Sequence, residues 1–225
     1  MKKEMRFQDK EKSTYKDGLA AKPKQIAANK SLRLNLSKFK ELVAYEIPVL
    51  DCRTSGFLQD YLVPSSTIVP FNKKDFSSVV QKVFPDKSKP LIIIATHLDE
   101  LPVIEKLHSL FYHNILGFLD GGMDAWENAQ EKVKPILKLN VIEANSMVQD
   151  GELKLLHFEG DKACNNADFN LNGFTSYISK LDPEKNYLIY SDDEDCAVLA
   201  YSLLMKKGFQ HVFILDGKLD RLKLR

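Results

Sequence analysis

Two apolar rhythms run through this chain. The first is a set of short, mostly unbroken apolar runs bounded by polar or turn-forming residues: Pro48–Cys52, Leu91–Ala95, Ile115–Leu119, Leu153–Phe158, Tyr187–Tyr190 and His211–Leu215. Runs of this length that do not alternate predict strands buried on both faces, as in a parallel sheet. The second rhythm places apolar residues every three or four positions and predicts helices between those runs. The helices fall at Ser37–Ala44 with Ser37 as N-cap, Phe76–Phe84 stopped by Pro85, Pro102 to Tyr112, Asp124–Gln130, Ala144–Gln149, Thr175–Leu181 and Asp195–Lys206. Pro102 suits a first helical turn, where its missing N–H has no partner to lose.

Lys89–Trp126 contains one complete strand–loop–helix–strand unit, followed by the pair Gly121-Gly122. A gap-free shift of 96 residues places Lys89 on Lys185, Ile93 on Ile189, Leu107 on Leu203, Leu119 on Leu215, Asp120 on Asp216 and Gly121 on Gly217. The predicted class is therefore α/β, with two domains, each a parallel sheet flanked by helices on both faces and joined by right-handed crossovers. Repeats this long form separate domains rather than a solenoid. The extended stretch Lys132–Asn140, with Pro135 inside it, marks the boundary. Residues 34–134 are expected to form the first domain and 135–225 a shorter second one, with 1–33 a polar tail.

Composition narrows the picture. A hydrophobic share of 44% is enough for a packed core, and a formal charge of +1 argues against a general nucleic-acid partner. No apolar run approaches the roughly 20 residues that span a bilayer, and Met1–Lys30 lacks the hydrophobic core of a signal peptide. No membrane association and a cytoplasmic location are expected. Cys52, Cys164 and Cys196 are odd in number and lack CxxC spacing, which predicts neither a disulfide framework nor a cysteine zinc site. The acidic run Asp192–Asp195 lacks the alternating spacing and the glycine of a calcium loop. No metal and no cofactor are expected.

A turn from a strand into a helix presents several backbone N–H groups, and the helix dipole adds about half a positive charge there. Such a turn binds anions and lowers the pKa of a cysteine placed in it. Neither turn of this chain carries a cysteine at the strand end, and both are acidic. At an effective dielectric of about 20, one like charge at about 4 Å costs roughly 4 kcal/mol, so the run Asp192–Asp195 is expected to repel a small oxyanion such as a phosphate ester.

The segments Val49–Arg53 (VLDCR), Val63–Phe71, Leu91–Thr96 and Leu116–Trp126 (LGFLDGGMDAW) resemble a rhodanese domain. Asn186–Ser191 and Leu203–Gly217 resemble a second one. In order and flavour the two repeats are similar to the C-terminal part of fusion proteins in which a metallo-β-lactamase-like domain, related to persulfide dioxygenases, precedes two rhodanese domains. That domain's HxHxDH pattern is absent from His97, His108, His113, His157 and His211. The resemblance makes Met1–Lys30 a remnant or linker of such a domain. It implies a persulfide dioxygenase of that kind, or another sulfur-carrying protein, as partner.

The resemblance also implies a loop Cys-x-x-x-x-Arg whose cysteine carries a persulfide. In the first repeat the cysteine position falls on Ala95, or on Thr96 if the loop shifts by one, and the arginine position on Glu100. In the second they fall on Ser191 and Cys196. The pair Asp51 and Arg53, which resembles the family's structural pair, becomes His157 and Glu159. The chain is thus expected to be a catalytically degenerate tandem rhodanese-like protein with a binding or scaffolding role in sulfur or persulfide metabolism. The alternative is a weak thiosulfate or persulfide sulfurtransferase using Cys196, a thiol near a helix start but beside carboxylates that raise its pKa.

Overall fold

The computed structural model describes residues 32–54, 56, 61–71, 75–159 and 170–223. Met1–Lys30 and Cys164 lie outside them. The first half runs β1 (Arg33–Leu34), α1 (Leu36–Ala44), β2 (Val49–Asp51), β3 (Tyr61–Leu62), β4 (Ser66–Ile68), α2 (Phe76–Val83), β5 (Leu91–Ile94), α3 (Glu100–Ser109), β6 (Ile115–Leu119) and α4 (Gly122–Asn128). The strand β7 (Lys134–Pro135) follows. The second half runs β8 (Lys138–Asn140), α5 (Val141–Gln149), β9 (Leu153–His157), α6 (Leu171–Ile178), β10 (Asn186–Tyr190), α7 (Glu194–Lys206), β11 (Val212–Asp216) and a short 3-10 turn at Leu219–Arg221.

The strands form two parallel sheets, in the orders β1-β6-β5-β2-β4 and β8-β11-β10-β9. The fold is α/β, with parallel sheets flanked by helices. β3 and β7 pair antiparallel, which ties the linker back to the first half.

Burial follows the pleat of the strands. In the first sheet Val49, Ile92, Ile94 and Leu119 pack with Phe39 and Leu42 of α1 and Met123 and Trp126 of α4. The opposite face presents Leu50, Ile68, Ile93 and Phe118 to α2 and α3. That cluster continues without a break into Leu156, Tyr187, Ile189 and Ile214 of the second sheet and the buried face of α7. A third cluster sets Leu153, Leu188 and Leu215 against Ala144 of α5. The two sheets therefore share their middle apolar layer.

Helix α7 closes the seam. β4 is the edge strand of the first sheet, and an uncovered edge offers unpaired backbone groups. Ile68 N–H donates to Ser202 Oγ at 3.1 Å, Lys206 Nζ donates to Thr67 Oγ1 at 3.1 Å, and Tyr201 O–H donates to Pro135 O at 2.8 Å.

Several boundaries differ from the sequence expectation, two of them for a capping reason. Asn35 rather than Ser37 caps α1, accepting from Lys38 N–H at 2.9 Å. Asn170 caps α6, which starts at Leu171 rather than Thr175. α3 begins two residues before Pro102, still leaving the proline in the first turn.

The repeat holds in register: Ile93 pairs with Phe118, and Ile189 with Ile214. A bulge between Leu91 and Ile92 is peculiar to the first copy, and Gly117 beside it adopts φ +145°. The repeat also extends further than the 96-residue shift reveals. Leu32-Arg33-Leu34-Asn35 recurs as Leu137-Lys138-Leu139-Asn140, and each copy is an edge strand followed by an Asn-capped helix. Asn140 and Glu143 form a full capping box. Asn140→Ala should lower the unfolding free energy by about 1 kcal/mol, read from urea denaturation. No change would mean that packing alone holds α5.

Candidate functional site

The two strand-to-helix turns lie at the C-terminal ends of the parallel strands, where sites of open α/β sheets form. In the first, Ala95 is buried at the end of β5, Thr96 is half-buried, and His97 and Leu98 are exposed. Asp99 N–H closes the turn on Thr96 O at 2.9 Å. Leu98 adopts φ +76° while 75% exposed, a conformation that leucine seldom takes. Glu100 opens α3, and its carboxylate lies a long 3.8 Å from His97 Nδ1.

Under this turn Cys52 N–H donates to Ile94 O at 2.7 Å. Burial, and after it the Asp51 and Asp99 carboxylates, push the Cys52 thiol well above its usual range. A thiol held protonated in this way is an inert core residue.

The second turn is filled by its own side chains. Ser191 Oγ accepts from Asp193 N–H at 3.2 Å, and the Asp193 carboxylate caps α7 by accepting from Asp195 N–H at 3.1 Å. Glu159 Oε1 reaches in from the end of β9 to Asp192 N–H at 3.5 Å. Tyr190 O–H donates to the Asp192 carboxylate. Burial, with that carboxylate next, pushes the phenol up to about 12. The backbone donors of Asp192, Asp193 and Asp195 thus each meet a fixed oxygen of the chain itself.

Early capping by Asp193 shortens this turn to Ser191–Asp193, against Ala95–Asp99 in the first copy. Cys196 consequently sits on the third residue of α7 instead of at the far end of a loop. It is half-buried, lining a small apolar cleft at the seam with Val69, Phe76, Val79 and Leu199. Neither Cys52 nor Cys196 is in a disulfide. Ala95, Thr96 and Glu100 are gathered at one turn and Ser191 stands at the other, while Cys196 lines the seam.

A polar pair backs each turn. Arg53 lies on Asp51 with Nη2–Oδ2 at 2.7 Å and Nε–Oδ1 at 3.0 Å, both side chains buried. The corresponding His157 and Glu159 also touch, Nε2 to Oε1 at 3.0 Å, and His157 packs 5.1 Å from the Tyr190 ring. The second copy therefore keeps an interacting i, i+2 pair with acid and base exchanged in position. The i, i+2 spacing of both pairs is visible in the sequence. The reach of Glu159 to Asp192 and the strained backbone of Leu98 have no signal there, since both depend on how the turns are folded.

Among the described residues no group of three or more His, Cys, Asp or Glu side chains is arranged to hold a metal ion, and no helix is long and apolar enough to cross a membrane.

Neither a family model nor a curated protein sequence matches the chain. Similar solved structures include the thiosulfate sulfurtransferase of Pseudomonas aeruginosa, 13% identical, covering 84% of this chain and 41% of that one, with a TM-score of 0.39. The rhodanese-fold 3-mercaptopyruvate sulfotransferase SseA of Escherichia coli is 11% identical over 84% of this chain and 98% of its own, with a TM-score of 0.39. The human single-domain sulfurtransferase TSTD1 is 15% identical over 43% of this chain and 96% of its own, with a TM-score of 0.37.

Proposed function

We propose that this chain is a tandem rhodanese-like protein that binds, and does not transfer sulfur, within sulfur or persulfide handling. The observation that carries the reading is the state of the second turn: no thiol stands at its strand end, and the N–H groups of Asp192, Asp193 and Asp195 face Glu159, Ser191 and Asp193. An incoming anion would have to displace fixed carboxylates from those donors. The first turn has Ala95 where a nucleophile would stand, and three residues on it presents an exposed Leu98. An exposed leucine in a strained conformation is better suited to contact than to chemistry. The partner proposed is a sulfur-carrying protein, a persulfide dioxygenase of the metallo-β-lactamase kind being the first to try.

The purified chain incubated with thiosulfate and cyanide is expected to release thiocyanate no faster than buffer. Robust release that a cysteine-to-serine substitution abolishes would overturn the reading. A second reading, sulfur carriage on Cys196, draws on that thiol's half-buried place in the first turn of α7. It predicts gain of one sulfur atom in the intact mass after treatment with thiosulfate, whose sulfane sulfur passes to the thiolate as sulfite leaves, and loss of that gain in Cys196→Ser.

A further inference from the structure

The N-terminal edge of the first sheet holds a second concave site. Ser66 lies level with Val49, and Val49 with Ile92, so this edge is opposite the one from which the two turns emerge. Here β4, the linker strand β7 and the end of α7 enclose a pocket of about 170 Å³, lined by Ser65, Ser66, Lys134, Met205 and Lys206 among others.

Two features of the pocket are unexplained by the fold. The Ser66 hydroxyl is buried, 3% exposed, with no hydrogen-bond partner for its oxygen among the described residues. A buried hydroxyl left unpaired is costly. Two lysines, Lys134 and Lys206, also line the pocket, and no acidic side chain among the described residues does. Lys134 and Lys206 form no ion pair among the described residues. Lys206 Nζ donates to Thr67 Oγ1 at 3.1 Å and lies 5.1 Å over the Phe84 ring. Burial lowers the pKa of both lysines, and for Lys206 the neighbouring Lys207 lowers it further; no acid contributes to either shift. Lysines that line one pocket with no acid beside them gain from an anion that hydrogen-bonds to them.

We propose that this pocket binds a small oxyanion of the sulfate, thiosulfate or phosphate kind, with Lys134 and Lys206 supplying the charge and Ser66 a hydroxyl donor. The site is independent of the reading of the turns, and either can fail without the other.

The test is titration of the ¹⁵N-labelled full chain with potassium phosphate and, separately, sodium thiosulfate, at ionic strength held constant with chloride. Saturable amide shifts are expected at Ser65–Thr67, Lys134 and Met205–Lys206, with the turns at 95–100 and 191–196 unmoved. The double variant Lys134→Gln/Lys206→Gln should bind about a hundredfold more weakly, since each of the two charge-assisted hydrogen bonds is worth about tenfold. Its fold is read from the same spectra. Ser66→Ala is the second variant: with its unpaired hydroxyl gone, its thermal midpoint should rise while anion affinity falls. Shifts that grow linearly, that persist undiminished in both variants, or that centre on the turns would overturn the proposal.

Discussion

Arg53→Met is expected to lower the unfolding free energy by about 3–5 kcal/mol, the usual cost of removing one partner from a buried ion pair. The reason is what stays behind. Asp51 is fully buried at the end of β2, and its carboxylate accepts from the Arg53 backbone N–H at 3.1 Å as well as from the guanidinium. Without the guanidinium an anion remains in the core with one amide donor. The thermal midpoint should drop by roughly 10 °C, at about 2–4 °C per kcal/mol for a chain of this size. Asp51→Leu/Arg53→Met should recover most of the loss, because an apolar pair in place of a buried salt bridge is often neutral. If the double variant is as unstable as the single one, the loss comes from packing and backbone geometry instead of stranded charge.

The second large effect belongs to Gly117. A Cβ there would stand 2.3 Å from Leu32 O and 2.8 Å from Leu34 Cγ, on a backbone at φ +145°. Both obstacles lie where β1 joins the sheet, and a carbonyl oxygen cannot move aside without unpairing the strand. Gly117→Ala should therefore cost about 3 kcal/mol or more, strain and overpacking together, and should free β1 and α1 to faster amide exchange. Gly217→Ala makes the useful contrast. Its Cβ would meet Val141 Cγ2 at 2.5 Å, the end of a side chain, at a similar φ of +146°. It should cost less, and equal losses for the two variants in the same denaturation experiment would refute the backbone-clash account.

Much of this architecture is legible in the sequence because buried parallel strands leave continuous apolar runs. Leu91–Ile94 and Asn186–Tyr190 are such runs, and the 96-residue offset between the copies survives in the observed ladders. Helix starts read less well. Asn35 and Asn170 are capping residues of the preferred type, yet an apolar period points to where a helix is buried and not to where its first N–H finds a partner. The two-residue strand β1 and the three-residue β8 are too short for periodicity to register. The extended stretch Lys132–Asn140 contains β8, and the recurrence of Leu-Arg/Lys-Leu-Asn links β1 to it. At the turns, sequence alignment of the copies identifies Ala95 and Ser191 at the strand ends. It places Cys196 at a loop's far end, because a gap-free shift cannot anticipate that Asp193 caps α7 early.

The exchange of Asp51 and Arg53 for His157 and Glu159 bears on what the two turns retain. In both copies a charged or polar pair is held at hydrogen-bond distance behind the turn. The pair in the first copy is sealed in the core. That in the second extends by Glu159 to the turn's own backbone. The scaffolding of each turn is thus maintained by different residues, while neither strand end carries a thiol.

The hydrogen bond from Ile68 to Ser202 joins residues 134 positions apart. Because synthesis proceeds from the N-terminus, the first sheet leaves the ribosome with β4 bare and waits for nearly the whole second half before α7 arrives to cover it. During that interval the nascent chain presents an open strand edge and half of a shared apolar layer, the features that make folding intermediates associate. Although its repeats look like separable modules, the edge of the first sheet is covered only once α7 has been made, and a version truncated before α7 should be the more prone to aggregate.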